Sequence, residues 1–129
     1  MKVGVIMGGV SSEYEVSMNS GREILKNLDP NKYEIIPIVI TKREELIEQA
    51  KGIDIALLAL HGAYGEDGTV QGTLETMGIP YTGSGVLSSS ICMDKDLSKK
   101  LMRCAGVNTA DWLCWDSMKD YSAEVVERL

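Results

Sequence analysis

The chain has 129 residues with 44% hydrophobic and 25% charged content, enough for one domain with a genuine core, or one domain and part of another, and disorder is not required. A net charge of −6 without any Lys/Arg cluster nominates neither a nucleic-acid surface nor an anionic membrane as partner. It does not exclude a nucleotide, since a local lysine and backbone amides suffice for phosphates.

Cys92, Cys104 and Cys114 are odd in number and lack Cys-x-x-Cys spacing, so they are expected to be buried free thiols in a reducing cytosol. The opening MKVGVIMGG enters a strand-like run after one lysine, too short for the apolar region of a signal peptide, and no stretch approaches a membrane span. The expected location is cytoplasmic.

In chain order, Lys2 to Met7 is a short Val/Ile-rich run stopped by Gly8-Gly9, which predicts a buried strand. Met18, Gly21, Leu25 and Leu28 are spaced as one helical face. Ser17 or a polar neighbour is the expected N-cap, and Asp29-Pro30 the end. The first loop therefore faces a helix N-terminus, which favours an anion. Tyr33 to Ile40 predicts a second strand, at an edge because Pro37 cannot donate to a ladder. Arg43 to Ala50 predicts a short helix, and Ile53 to Leu60, almost wholly apolar, a parallel strand covered on both faces. Strand, helix, strand, helix, strand is the order of a doubly wound α/β sheet.

Further on, Val70, Leu74 and Met77 mark a helix closed by Gly78, and Ile79 to Thr82 a short extended connection. Gly83-Ser84-Gly85 precedes a small-residue segment expected to be a helix, Val86 to Met93, and Asp94 is placed to cap a helix with Leu97, Leu101, Cys104 and Ala105 on one face and Gly106 at its end. Asp111 to Trp115 reads as a strand and Ala123 to Leu129 as a helix without a stop signal, so the sequence is expected to be a piece of a longer protein.

The chemistry concentrates in HGAYGEDGTVQG, residues 61 to 72. His61, the single histidine, stands at the expected carboxyl end of the third strand, where open α/β sheets bind ligands, among Gly62, Gly65 and Gly68 with Glu66 and Asp67 between. The first loop, GGVSSEYE, has no G-x-G-x-x-G, and neither a P-loop nor a G-x-S-x-G elbow occurs. A metal would have to use His61 with Glu13, Glu66 or Asp67, and no metal site is expected. What remains is a polar cluster where the first and third loops meet: Ser11, Ser12, Glu13, Glu15, His61, Glu66 and Asp67. A carboxylate there can hold a substrate ammonium, and His61 can donate to negative charge developing on oxygen. The simpler reading of Glu13 and Glu15 is solvated acids at a helix start. Lys95, just inside the helix begun at Asp94, could reach a phosphate or simply face water.

GGVSSEYEVSMNSG at 8 to 21, HGAYGEDGTVQG at 61 to 72 and PYTGSGVLSSSICMDK at 80 to 95 together resemble, in order and spacing, the N-terminal part of the D-alanine-D-alanine ligase family of ATP-grasp enzymes. The resemblance implies a three-layer α/β fold with a mostly parallel sheet, a Rossmann-like pre-ATP-grasp domain over residues 1–94, and the beginning of an ATP-grasp domain over 95–129. It implies a reaction in which ATP, with Mg2+, converts the carboxylate of one D-alanine to an acyl phosphate and the amine of a second D-alanine displaces phosphate. Residue by residue, Glu13 would anchor the first ammonium and Ser12 and Val16 would shape its pocket. His61 would lie beside the acyl phosphate, Lys95 would meet the nucleotide phosphates, and Glu66 would support the geometry. The family's magnesium ligands, most of its adenine pocket and its second D-alanine site have no counterpart in these residues, so the isolated chain is expected to be inactive and the intact enzyme a homodimer. Transfer to D-lactate or D-serine, or a free-standing small-ligand module, are the alternatives. Trp112, Leu113 and Trp115 are expected to lack cover here and to favour association or tail exchange between chains.

Overall fold

The Val/Ile-rich opening run becomes β1 (Lys2–Gly8), the central strand of a parallel sheet ordered β2-β1-β3, with β2 at Glu34–Ile40 and β3 at Ile55–Leu58. The structure, a computed structural model, describes residues 1–114 and divides the chain into two compact units, Met1–Met93 and Asp94–Leu129. In the first unit β1 pairs with β2 from Lys2↔Glu34 to Gly8↔Ile40 and with β3 from Val3↔Ile55 to Ile6↔Leu58. Pro37 lies in the edge strand, as its missing N–H requires. The extended connection after residue 78 lies against β3: Ala56 donates to Pro80 O, Thr82 donates to Ala56 O, and Tyr81 bridges Ala56 in parallel.

Alternation along β1 sends successive side chains to opposite faces, and each face carries its own core. Val5 and Met7 join Ala59 under α1 (Tyr14–Asn27), whose Met18, Ile24 and Leu25 cover them together with its C-cap Leu28. Ile6 joins Ile38, Ile40, Leu46, Ala56, Val70 and Leu74 on the other face, beneath α2 (Glu45–Gln49) and α3 (Thr69–Thr76). The result is three layers, helix, sheet and helix, as expected from the element order. α1 approaches closely because Gly21 has no side chain: a Cβ there would fall 2.6 Å from Met7 Cβ. Alanine is worth about 1 kcal/mol over glycine in a helix, but overpacking a core costs about 1–3, so contact outweighs propensity at this position.

Several expectations are corrected. Ser17 is not the N-cap: α1 begins a turn earlier, at Tyr14, and Ser17 is fully buried inside it. Its hydroxyl accepts from Gly8 N at 2.8 Å and donates to Ala59 O at 2.7 Å, which joins the helix to the ends of β1 and β3. All three cysteines are exposed, not buried. Cys92 sits near the end of α4 (Val86–Met93), where only Ser89 is buried, and Cys104 ends α5 (Lys95–Cys104), which buries no residue. Asp111 to Cys114 form no strand. That segment is tied to α5 by side chains instead: Asp111 pairs with Arg103, Trp112 donates its indole N–H to Asp96 at 2.8 Å, and Arg103 lies over the Trp112 ring. Trp112 therefore finds cover within its own unit, while Leu113 is exposed. Trp115 and the helix expected over Ala123 to Leu129 lie outside the described residues.

Asp94 does cap α5, accepting from Leu97 N at 2.9 Å. No helix among the described residues is long and apolar enough to cross a membrane.

Gly68 opens α3 at φ +93, in the left-handed region, so it offers no capping side chain. The preceding Asp67 does that work, accepting from Thr69 N at 3.0 Å and Tyr64 N at 2.7 Å. Burial raises the Asp67 pKa, but hydrogen bonds from Thr69 and from the Tyr64 amide outweigh it and hold the carboxyl below the usual aspartate value.

Two stability measurements follow. Ser17→Ala strands the buried Gly8 N–H, so urea unfolding is expected to show a loss of about 1–3 kcal/mol, and an unchanged midpoint would refute the bridge. Asp67→Ala is expected to cost about 1 kcal/mol at neutral pH. Because the folded pKa is depressed, that contribution is full above the unfolded value and lost as pH falls through the folded one. The gap between variant and parent should therefore close below about pH 4, and a gap independent of pH would contradict it.

Candidate functional site

With β2 and β3 on opposite sides of β1, the connections leaving β1 and β3 part at a topological switch point, the crevice where open α/β sheets bind ligands. The β1 loop brings Ser11, Ser12 and Glu13 there, and the segment after β3 brings His61. Ser11 joins the two loops: its hydroxyl donates to His61 O at 2.8 Å and accepts from Glu13 N at 3.1 Å. Gly62 permits this approach, since at φ +70 a Cβ would fall 3.0 Å from Ser11 Oγ and 3.6 Å from Glu13 Oε1.

One ligating atom each from Glu13, His61 and Glu66 lies within 4.8 Å of the others. Glu66 Oε1 stands 3.6 Å from His61 Nδ1, and Glu66 Oε2 accepts from Gly62 N at 2.8 Å, so one carboxylate both faces the imidazole and holds the turn beside it. On the other side of the ring, Ser20 Oγ lies 3.1 Å from His61 Nε2. The His61 side chain is 31% exposed and that of Glu66 is 50% exposed, so a small solute reaches them. Two carboxylates flanking an imidazole favour a cation between them, whether an ammonium or a metal. The loop is stiffened further along, where Tyr64 adopts φ 61 and carries the Arg43 guanidinium 3.3 Å from its ring centroid. A positive φ at a bulky residue is uncommon and is held here by packing and by Asp67 on the Tyr64 amide.

Of the residues expected from sequence, Ser11, Glu13, His61 and Glu66 gather. Asp67 does not join them, because its carboxylate is engaged by backbone amides of its own loop. Glu15 is exposed in the first turn of α1, which fits the helix-dipole reading. Ser12 is exposed in the β1 loop, and Val16 is 53% exposed in the first turn of α1. Lys95 is the first residue of α5 and exposed, in the second unit. Sequence reasoning missed Ser20 and misassigned Ser17. The available signal was spacing: Glu13, Ser17 and Ser20 stand at i, i+4 and i+7, so two hydroxyls interrupt the stripe that packs on the sheet.

A family model described as D-ala D-ala ligase N-terminus matches residues 2–51 and 43–84, which contain both loops. The chain is 59% identical over all its 129 residues to a D-alanine--D-alanine ligase of Bacillus anthracis, covering 42% of that protein. It thus spans about two fifths of the length of such relatives. The solved structure of the Bacillus anthracis ligase complexed with ATP superposes with a TM-score of 0.89 at 58% identity, over 99% of this chain and 42% of that one. The D-Ala:D-Ser ligase VanG of Enterococcus faecalis superposes at 0.72 with 34% identity, over 85% of this chain and 43% of that one. The three motifs that suggested the family, the sheet that brings two of them to one rim and these matches agree, and the chain belongs to the D-alanine-D-alanine ligase N-terminal family.

Proposed function

We propose that the protein to which this chain belongs joins two D-alanines at the expense of ATP, and that these residues supply the place of the first D-alanine. The observation that carries the reading is the meeting of Glu13, His61 and Glu66 at the switch point. Glu13 binds the ammonium of the first D-alanine, and Ser12 and Val16 wall its side. The carboxylate of that D-alanine attacks the terminal phosphorus of ATP, forming an acyl phosphate and releasing ADP. His61 offsets the charge on the acyl phosphate, and Glu66 keeps the imidazole and the Gly62 turn in register. The amine of the second D-alanine then attacks the acyl carbon, forming the peptide bond as the C–O bond to phosphate breaks and the amine loses a proton. Lys95 is assigned to the nucleotide phosphates, residues 1–94 to a pre-ATP-grasp domain and 95–129 to the start of the ATP-grasp domain. The protein is assigned to peptidoglycan synthesis in the cytoplasm and to a homodimer.

Magnesium prefers an octahedral set of oxygen ligands, and the Glu13–His61–Glu66 trio, with its imidazole nitrogen, does not fit it. No step is therefore assigned to magnesium at these residues. Joining D-alanine to D-serine is the less favoured reading, because identity to the D-Ala:D-Ser ligase is 34% against 59% to a D-alanine--D-alanine ligase.

The test is a hybrid in which these 129 residues replace the aligned portion of the Bacillus anthracis ligase. It should release phosphate dependent on both ATP and D-alanine, while the isolated chain should show no turnover. In the hybrid, Glu13→Gln should raise KM for the first D-alanine by roughly tenfold to a hundredfold, the value of a hydrogen bond to a charged group, and change KM for the second much less. An inactive hybrid, a turning-over isolated chain, or equal effects on both substrates would overturn the assignment.

A further inference from the structure

We propose that Ser20 is a positioning residue for the His61 imidazole: its hydroxyl donates to Nε2 and so fixes the neutral, ligand-free ring with its proton on Nδ1, on the side of Glu66. For a neutral ring the distances favour one arrangement of protons over the other. Glu66 Oε1 stands 3.6 Å from Nδ1, and an ionised carboxylate has only lone pairs to offer. An unprotonated Nδ1 would set lone pair toward lone pair, so the hydrogen is placed on Nδ1. Nε2 is then an acceptor, and Ser20 Oγ at 3.1 Å is placed to donate to it.

A helical serine usually faces water or bonds to the carbonyl one turn back. Ser20 instead reaches a residue 41 positions away in sequence. Its backbone is held by α1, and α1 is held to the strand ends by Ser17 one turn earlier, so the hydroxyl is anchored to the sheet and not to a loop. Ser11 fixes the His61 carbonyl at 2.8 Å, which leaves the ring orientation to Ser20 and Glu66.

A hydroxyl is also the side chain that can follow a change of tautomer. When an ammonium enters between Glu13 and Glu66, a proton on Nδ1 would point at positive charge. The ring is better served by its lone pair there and its proton on Nε2, and the Ser20 hydroxyl turns from donor to acceptor without moving its oxygen. Alanine supports neither state, and threonine supports both. The catalytic part of this inference rests on the proposed ligase function, whereas the tautomer rests on geometry alone.

The chain holds one histidine, which makes the test direct. With histidine labelled by 15N, long-range 1H–15N spectra at a pH where the ring is neutral should show Nδ1 protonated and Nε2 bare in the parent chain. Ser20→Ala should move the population toward Nε2–H, the form free imidazole side chains favour in water, and Ser20→Thr should restore the parent pattern. Alanine is the better helix former, so α1 is expected to persist, and far-UV circular dichroism checks it. In the hybrid ligase, Ser20→Ala should lower kcat by about fivefold, the worth of one hydrogen bond, with a smaller change in KM for the first D-alanine, and Ser20→Thr should recover it. A parent spectrum with Nε2–H, or identical spectra for the parent and Ser20→Ala, would overturn the proposal. A hybrid inactive with Ser20 intact would refute the ligase reading, and the spectra would still decide the tautomer.

Discussion

The Ser17 hydroxyl is the point on which the site's geometry turns. A buried hydroxyl must find partners, and this one takes Gly8 N at the end of β1 and Ala59 O just past the end of β3. Those two groups lie beyond the last β1–β3 pair, Ile6↔Leu58, on the side of β1 that faces β3. By satisfying both, Ser17 sets the height of the first turn of α1 above the sheet. Glu13, four residues earlier, and Ser20, three residues later, take their positions from it. The acid at the N-cap of α1 and the hydroxyl within it thus meet His61 from one element, and His61 follows two residues after the other end of the bridge.

The loop after β3 is built to hold still. Gly62 lets Ser11 close in from the neighbouring loop, and Glu66 accepts the Gly62 amide while facing the imidazole. Asp67 takes the Tyr64 and Thr69 amides, which starts α3 and sustains the unusual backbone of Tyr64. Adjacent acids in sequence thereby have separate work, one toward the site and one toward the fold. Their differing surroundings, an imidazole for Glu66 and two backbone amides for Asp67, explain why the cluster expected from composition contains fewer members than the motif has acids.

How much of this was legible in sequence depended on how far each partner lay. The continuous apolar run before His61, Pro37 in an edge strand, the carboxyl-edge loop and the Asp94 cap follow from local chemistry, and the sheet and the meeting of Glu13 with His61 follow from placing those elements in order. Ser17 and Ser20 were not legible, because their partners Ala59 and His61 lie 42 and 41 residues away and a serine in a helical stretch reads first as a cap or a solvent-facing residue. Thiol burial was inferred from residue type, and type does not decide it on helices that bury almost nothing. Likewise the apolar tail at 111 to 114 has strand-like composition, yet its aromatic ring finds cations on the preceding helix and needs no ladder.

Charge explains why such a site suits an ammonium better than a polyphosphate. Two carboxylates within 4.8 Å of an imidazole atom and of each other repel by roughly 1 kcal/mol in water and several times that when solvent is excluded. An arriving ammonium relieves this repulsion, whereas an arriving polyphosphate would add to it. The imidazole is the one member of the trio able to face either sign. On the proposed tautomer, a ring whose proton can move from one nitrogen to the other, with a hydroxyl on the far side, would let the same residue tolerate an entering ammonium and still offer a hydrogen to negative charge nearby.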